Sequence, residues 1–413
     1  MNRNDAAVQL RAEIAQCAKC GKCRSVCPIF LETGAETMVA RGRIALAEAV
    51  LEGQAQFTGR FEEYINTCLK CLRCESLCPS GVNYHVILDE MRKAMARTQG
   101  VSPIARLVFR LLLPHRWLYD MALFGASIGQ HLVPLRRRGS MRHLPLFFMG
   151  RRWIPRLARR TALYGLGRTR RLRNPRMRVG FFVGCLINYV YPEIAESVVR
   201  VLNRFNIEVV VPRHQVCCGA PVLSFGDEPQ ARVLARRNLR ALDRSDLDYV
   251  VTACASGGHT LKSDYPDLLG EEWSEVGSKV LDIMEFIDRF VRIDTDRLPT
   301  RVTYHDPCHL RWGQDVVDAP RSVLQQAAHF VEMREAERCC GGAGAFSLFH
   351  YDMSIRIADH KLESIREAEA DTVATGCPGC ILQIADRAAD RGVAARIVHP
   401  IQILDEALAE TEH

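Results

Sequence analysis

At 413 residues the chain is longer than one hydrophobic core usually serves, so two or three domains are expected. Apolar residues make up 48% and charged residues 25%, ordinary values for a folded protein. Seventeen cysteines would suggest disulfides in a small secreted chain, but here they cluster at ligand spacings behind a start, Met1-Asn2-Arg3-Asn4-Asp5, with no apolar signal segment. A reducing cytoplasm is therefore expected, and the lack of any run of about 18 apolar residues excludes a spanning helix.

The first cysteines read Cys17-x-x-Cys20-x-x-Cys23-x-x-x-Cys27-Pro28, and the same spacing returns as Cys68-x-x-Cys71-x-x-Cys74-x-x-x-Cys78-Pro79. That spacing is the run for a 4Fe-4S cube, in which three thiolates bind one cluster and the cysteine before proline reaches to the other. On this pattern one cube takes Cys17, Cys20, Cys23 and Cys78, and the second takes Cys68, Cys71, Cys74 and Cys27. Structural zinc is the alternative, but it closes with four ligands, usually as two separated Cys-x-x-Cys knuckles, and does not use this unbroken run. Between and after the runs, Arg41 to Leu51 and Val86 to Met95 have helical periodicity. Strong helix formers fill the first, and Gly53 can end it. Residues 1–100 are thus expected to form a helical two-cluster ferredoxin-like domain, unlike compact ferredoxins whose runs are joined by hairpins.

From Val101 to Gly180 the composition changes, with eighteen arginines against one acidic residue, Asp120. Arg136-Arg137-Arg138, Arg151-Arg152 and Arg159-Arg160 alternate with apolar groups such as Leu111-Leu112-Leu113, Trp117-Leu118-Tyr119 and Leu144-Pro145-Leu146-Phe147-Phe148-Met149. Arginine beside Trp, Phe and Leu suits an anionic membrane surface, and equally an acidic partner subunit. Nucleic acid is not expected, since no nucleic-acid fold signature accompanies the charge. We read 101–176 as a connecting and docking segment.

The remainder contains an internal repeat, 177–296 and 297–413. In the first copy the strand pattern Val179–Val183 leads to Cys185, Ile207–Val211 leads to Cys217-Cys218-Gly219, and Tyr249–Thr252 leads to Cys254. In the second, Arg301–Tyr304 leads to Cys308, Cys339-Cys340 precedes Gly341, and Thr372–Thr375 leads to Cys377-Pro378-Gly379-Cys380. Strands alternating with helical stretches imply βαβ units and parallel sheets, with sites beyond the carboxyl ends of the strands. Adjacent cysteines do not suit one tetrahedral ion but can serve neighbouring irons of a larger cluster. Glycine after each pair permits close backbone approach. Structural zinc at Cys377-x-x-Cys380 and an oxidisable vicinal disulfide are the other readings. The run Gly341-Gly342-Ala343-Gly344 lacks the Lys-Ser/Thr of a phosphate loop and the spacing of a dinucleotide fold.

With these motifs the chain resembles heterodisulfide reductase subunits and the iron-sulfur subunits of glycolate oxidase, D-lactate dehydrogenase and anaerobic glycerol-3-phosphate dehydrogenase. The resemblance covers nearly the full length and all seventeen cysteines. It implies a noncubane 4Fe-4S cluster on Cys308, Cys339, Cys340, Cys377 and Cys380. The first repeat, with Cys185, Cys217, Cys218 and Cys254, departs from the pattern, because Cys254-Ala255-Ser256-Gly257 lacks the last cysteine. That site is left open between empty, zinc and a cluster with a substitute such as His259. His305, Asp306 and His309 around Cys308 are candidates for hydrogen bonds to cluster sulfurs or for a turn, whereas His214 and His399 are read as structural. No catalytic residue and no flavin or nicotinamide fingerprint is found. The fold expected is multidomain α and α/β, with two α/β repeats related by a pseudo-twofold duplication. The function expected is electron transfer, with 2-hydroxy-acid oxidation on a separate FAD subunit and a quinone or other carrier as the electron partner. A heterodisulfide reductase-like subunit is the alternative. The expected location is the cytoplasm, with the inner face of the cell membrane as a peripheral contact.

Overall fold

The computed structural model describes residues 3–130, 137–138, 141–146, 150–166 and 171–411. Arg136 and the run Phe147-Phe148-Met149, singled out above, lie outside the described residues.

Helices Arg3–Ala15, Ala40–Leu51, Gly59–Asn66 and Tyr84–Gln99 build the N-terminal unit, with no strand among its described residues. Their apolar faces meet through Leu10, Ile14, Ile44, Phe61, Ile87 and Met91, and Cys17, Cys23, Cys68, Cys74 and Cys78 pack against this core. Thr58 caps the third helix by accepting from the Phe61 N–H, which satisfies one of the donors left open at a helix start.

Each repeat is a four-stranded parallel sheet. In the first the order is Ile207–Val210, Met177–Phe182, Tyr249–Thr252, Val280–Asp282. In the second it is Ala328–Phe330, Leu298–Tyr304, Thr372–Ala374, Arg396–Val398. Both therefore place their strands in the order second, first, third, fourth, and the crevice where that order reverses opens between the first and third strands. Cys185 and Cys254 follow those two strands in one repeat, Cys308 and Cys377 in the other. The last strand of each leads directly into a helix through an N-capping residue, Asp282 or His399, with a capping box.

The two repeats share one core. Helix Pro192–Arg204 of the first packs on the terminal helix Pro400–Glu410, and Asp318–Ala327 of the second packs in the same manner on Ile283–Phe290. The exchange of equivalent helices is what a pseudo-twofold requires. Ile194, Val198, Val201 and Leu202 recur at helical spacing on the buried face, with Leu404, Ala407, Val323 and Leu324 in the same cluster.

Part of the arginine-rich segment is internal structure of the first repeat. Phe109 and Leu113 are buried in its outer core, the Phe109 carbonyl accepts from Gln230 at 2.9 Å, and Phe109 meets Phe225 edge-on. Asp120 is held by Arg116 and by the Tyr189 hydroxyl at 2.7 Å. Farther along, Arg137–Arg138, Met141–Leu146 and Gly150–Pro155 pair as an antiparallel sheet. No helix among the described residues is long and apolar enough to cross a membrane.

The N-terminal unit docks against the repeats with almost no clearance. Gly226 has φ of 75°, and a Cβ there would lie 2.2 Å from the Arg92 carbonyl oxygen of helix Tyr84–Gln99. We predict that Gly226→Ala destabilises the protein by about 2–5 kcal/mol, combining left-handed strain with a backbone clash. Gly392→Ala, at φ 67° with open space around it, should cost only about 1–2 kcal/mol. Denaturant unfolding midpoints under anaerobic conditions compare the two, and equal shifts would remove the clash from the account.

Candidate metal centres

Both N-terminal runs use the same backbone path. Two and four residues after the first cysteine, φ is positive: 56° at Lys19 and 80° at Gly21, then 49° at Lys70 and 63° at Leu72. Three of these four are not glycine, and such strain, on the order of 1–2 kcal/mol each, persists where the surroundings fix it. The turn aims main-chain N–H groups at sulfur, as with the Lys70 N–H, 3.5 Å from the Cys68 Sγ.

The cysteines gather around two adjoining cavities. One is lined by Cys17, Cys20, Cys23 and Cys78, with Cys74 at its wall. The other is lined by Cys27, Cys68, Cys71 and Cys74. In each, the cysteine before proline has crossed from the opposite run. Burial pushes the thiols of Cys23, Cys27, Cys71 and Cys74 up, a cost that coordination to iron would remove. Arg43, buried beside the second cavity, donates to the Tyr64 carbonyl at 2.6 Å and the Thr67 hydroxyl at 3.0 Å. The donor sets, cavities and nearby cation fit two thiolate-bound 4Fe-4S groups.

In the second repeat five thiols form a chain of contacts: Cys308 with Cys339, Cys339 with Cys340, Cys340 with Cys380, and Cys380 with Cys377. Thiol donors draw Cys340 and Cys377 well below the ordinary range, while the same contacts and burial push Cys380 well above it. Gly341, at φ 78°, turns the pair into the site, and a Cβ there would lie 2.6 Å from the Ser354 carbonyl oxygen. His305 donates through Nδ1 to the Ala336 carbonyl at 3.2 Å, and its ring joins Cys340 and Cys380 in one buried group of ligand atoms within 4.8 Å. Burial depresses its pKa to about 3, so it is neutral. Asp306 instead binds Arg311 and Arg321, a structural role.

The first repeat keeps Cys185, Cys217 and Cys218 together, but its fourth cysteine has left them. Cys254 contacts Cys377 of the other repeat, Ser256 stands 3.6 Å from the same sulfur, and the Ala255 N–H donates to the Gly376 carbonyl at 3.0 Å. His259 turns its Nδ1 to the Gly313 carbonyl and Ser263, its ring stacks on His309 with centroids 4.8 Å apart, and its Nε2 is buried without a hydrogen-bond partner. His214 is exposed, and buried His399 accepts from the Ile401 N–H as a helix cap.

Sequence reasoning missed the seam that joins the modules. Cys71 faces Cys308 and Cys339 across a cleft of about 490 Å³, which is also lined by Trp312 and closed by the 2.8 Å Arg73–Glu337 ion pair. His309 Nε2 donates to the Lys70 carbonyl at 2.8 Å. The Lys70 ammonium reaches Asp89 at 2.6 Å and Asp264 of the first repeat at 3.3 Å. Burial alone would lower its pKa, but the two carboxylates hold it above the ordinary lysine value. None of these partners is near in sequence, so no spacing signals them.

Comparison with known proteins agrees with this layout. The 4Fe-4S dicluster domain family matches residues 13–82, and the cysteine-rich domain family matches 179–262 and again 302–385. The probable glycolate oxidase iron-sulfur subunit of Bacillus subtilis is 31% identical, over 96% of this chain and 94% of its own length. A subunit of the CoM/CoB fumarate reductase of Methanothermobacter marburgensis is 32% identical over 95% of this chain and 72% of its own. A subunit of the dihydromethanophenazine:CoB–CoM heterodisulfide reductase of Methanosarcina mazei is 26% identical, over 98% and 96%.

The crossed geometry makes a test of ligand assignment. Cys78→Ser should alter the paramagnetic signal of the group held by Cys17, Cys20 and Cys23, and Cys27→Ser that of the group held by Cys68, Cys71 and Cys74. Electron paramagnetic resonance of each variant, aligned with Cys20→Ser and Cys71→Ser as references, reads the pairing. If Cys78→Ser instead matches Cys71→Ser, each run binds its own cluster and the crossing is wrong.

Proposed function

The chain belongs to the family of oxidoreductase iron-sulfur subunits that join a 4Fe-4S dicluster domain to two cysteine-rich domains, and on that footing we propose that it carries electrons between a separate FAD-bearing subunit and a quinone or another carrier. The FAD subunit would oxidise a small 2-hydroxy acid, D-lactate or glycolate, to the 2-oxo acid, releasing two electrons and two protons. Bound iron-sulfur groups supply one-electron redox chemistry without proton uptake at carbon.

The observation that carries this reading is the sequence of thiol sets. Cys20 is exposed among exposed Lys19, Lys22 and Arg24, so the first set lies at the surface, where a partner can reach it. Cys74 lines both N-terminal cavities, Cys71 leads from the second to Cys308 and Cys339, and Cys377 adjoins Cys254. The chain's own residues hold these sets in place: Arg43 and Lys70 brace the second run, and His309 and the Arg73–Glu337 pair fix its distance from the second repeat. We assign a noncubane 4Fe-4S cluster to Cys308, Cys339, Cys340, Cys377 and Cys380, because five thiols exceed the needs of a tetrahedral ion.

A second reading draws on the cleft beside Cys308 and Cys339. In it the second repeat would itself reduce a disulfide, as the name of the Methanosarcina relative describes for that protein. Anaerobically purified chain should contain at least about eight irons, from two cubes. With its copurifying flavin subunit, D-lactate or glycolate should bleach the cluster absorption, and the chain alone should show no response. Disulfide turnover by the isolated chain would favour the second reading, and stoichiometric zinc without iron would remove both.

One face remains for docking. On helix Arg116–Gly129, Trp117, Met121, Phe124 and Ile128 recur at spacings of one helical turn and are all more than half exposed, Trp117 at 62%. We assign this stripe, with the exposed Arg110 just before the helix and the exposed Arg159 and Arg160 of the same arginine-rich segment, to the contact with the rest of the complex or the inner membrane surface. Trp117→Gln with Phe124→Gln should weaken, by tenfold or more, binding to either the flavin subunit or anionic vesicles, and the loss should persist in 1 M salt, where charge contacts are screened to about 3 Å. Unchanged binding to both would return the stripe to ordinary surface.

A further inference from the structure

Lys361 is fully buried, at 0% exposure, in helix Tyr351–Glu367 beneath the loop that carries Cys339 and Cys340. Its ammonium donates to the carbonyls of Glu335 at 2.6 Å and Ala336 at 3.2 Å and touches the Met333 sulfur. No carboxylate pairs with it among the described residues. Those that act on it from farther away are already engaged, Asp306 with Arg311 and Arg321, Glu337 with Arg73, and Glu335 with Arg338. Burying an unpaired cation is costly, and here burial pulls the pKa down to about 8. The sulfurs of Cys340 and Cys339 are among the groups whose negative charge would offset that cost.

The duplication provides an internal comparison. On the matching helix of the first repeat, Glu228–Leu242, the buried residue under the cysteine pair is Asn238. It accepts from the Val216 N–H at 2.8 Å and donates to the Cys217 carbonyl and the Tyr265 hydroxyl. Both side chains therefore tie down the loop of the cysteine pair, but only one brings charge. The surroundings diverge in the same sense. Three residues before the first cysteine stands Phe182 in one repeat and His305 in the other, and Val183 is replaced by Asp306. A charge retained in a buried place where its duplicate does the same tethering with a neutral amide has a role beyond tethering.

We propose that Lys361 is a positioning residue whose fixed positive charge raises the reduction potential of the metal-sulfur group at Cys308, Cys339, Cys340, Cys377 and Cys380, drawing electrons to the second repeat rather than the first. This rests on the reading that the second repeat holds such a group. Each one-electron reduction adds one negative charge to the site, and a cation in a low-dielectric interior stabilises the reduced form more than the oxidised form.

The test uses the full chain, purified anaerobically, with redox titrations followed by electron paramagnetic resonance. Lys361→Gln keeps N–H donors for the Glu335 and Ala336 carbonyls and removes the charge, whereas Lys361→Arg keeps the charge. In Lys361→Gln the signal that depends on Cys339 should become at least tenfold harder to reduce, a negative shift of about 59 mV or more for one electron. Lys361→Arg should stay near the parent, and the two N-terminal signals should not move in either variant. Should Lys361→Gln lose the second-repeat group altogether while Lys361→Arg retains it, the charge requirement stands. An unmoved potential in Lys361→Gln, or equal shifts or losses in both variants, would make Lys361 a packing residue only. A parent protein with no Cys339-dependent group would instead overturn the reading on which the proposal rests.

Discussion

The loop between Cys68 and Cys74 ties the N-terminal unit to both repeats, and Lys70 is its pivot. The backbone there is strained, with φ of 49°, so its carbonyl turns outward to accept from His309 of the second repeat. Its side chain reaches the other way, to Asp89 of its own unit and Asp264 of the first repeat. One residue thus ties three modules together by one hydrogen bond and two ion pairs. Charge pairs that are mostly buried resist screening by salt, and each partner left alone would be an uncompensated buried charge. The neighbouring cysteines inherit that rigidity. Cys71 stays beside Cys308 and Cys339 because the loop cannot tilt without breaking contacts on both sides.

The two repeats show how one topology carries two different sets of side chains. Their strand orders are the same, their end helices exchange symmetrically, and both fourth strands lead into a capping residue. They diverge in the connection between third and fourth strands, a run of short helices over 255–278 against the single helix Pro378–Arg391, and at the mouth of the switch-point crevice. There the second repeat has five thiols, a neutral buried imidazole and a buried ammonium, while the first has three grouped thiols beside Phe182 and Asn238. Cys254 and Ser256 of the first have turned to Cys377. With Cys254 directed across the pseudo-twofold, the first repeat places a thiol beside Cys377 of its partner.

How much of this is legible in sequence depends on whether the signal is local. The cysteine runs, the helices at Arg41 to Leu51 and Val86 to Met95, and the first and third strands of each repeat are written in short-range spacing and periodicity, and the structure has elements at all of them. The strands Val280–Asp282, Ala328–Phe330 and Arg396–Val398 escape a sequence reading, since three residues carry no period and, unlike Thr372–Ala374, no cysteine motif directly follows them. The arginine-rich segment reads as a docking surface alone because composition cannot show that Phe109 and Leu113 insert into the first repeat. Nothing in the sequence separates Lys361 and Lys70 from ordinary surface lysines. Their importance is tertiary, set by which carbonyls and carboxylates the fold brings to them.

The two halves of the chain depend on metal to different degrees. Strand, helix and turn in the repeats are supported by a core that runs across both sheets, from Val179 to Leu408, and would bury its apolar surface with or without iron. The N-terminal unit has a much smaller core, and several of the residues packed on it are themselves cysteines. It also carries three non-glycine residues in left-handed backbone at its two runs, together on the order of 3–6 kcal/mol of strain, comparable with the whole stability of a small domain. Thiolate coordination in small metal domains contributes on the order of 10 kcal/mol, enough to offset that strain. With its cysteines coordinated, the strained loop that spans the modules would be held in shape by metal on one side and by His309 and Asp264 on the other. Assembly of the clusters and docking of the unit onto the repeats are thermodynamically linked, each favouring the same conformation of Lys70.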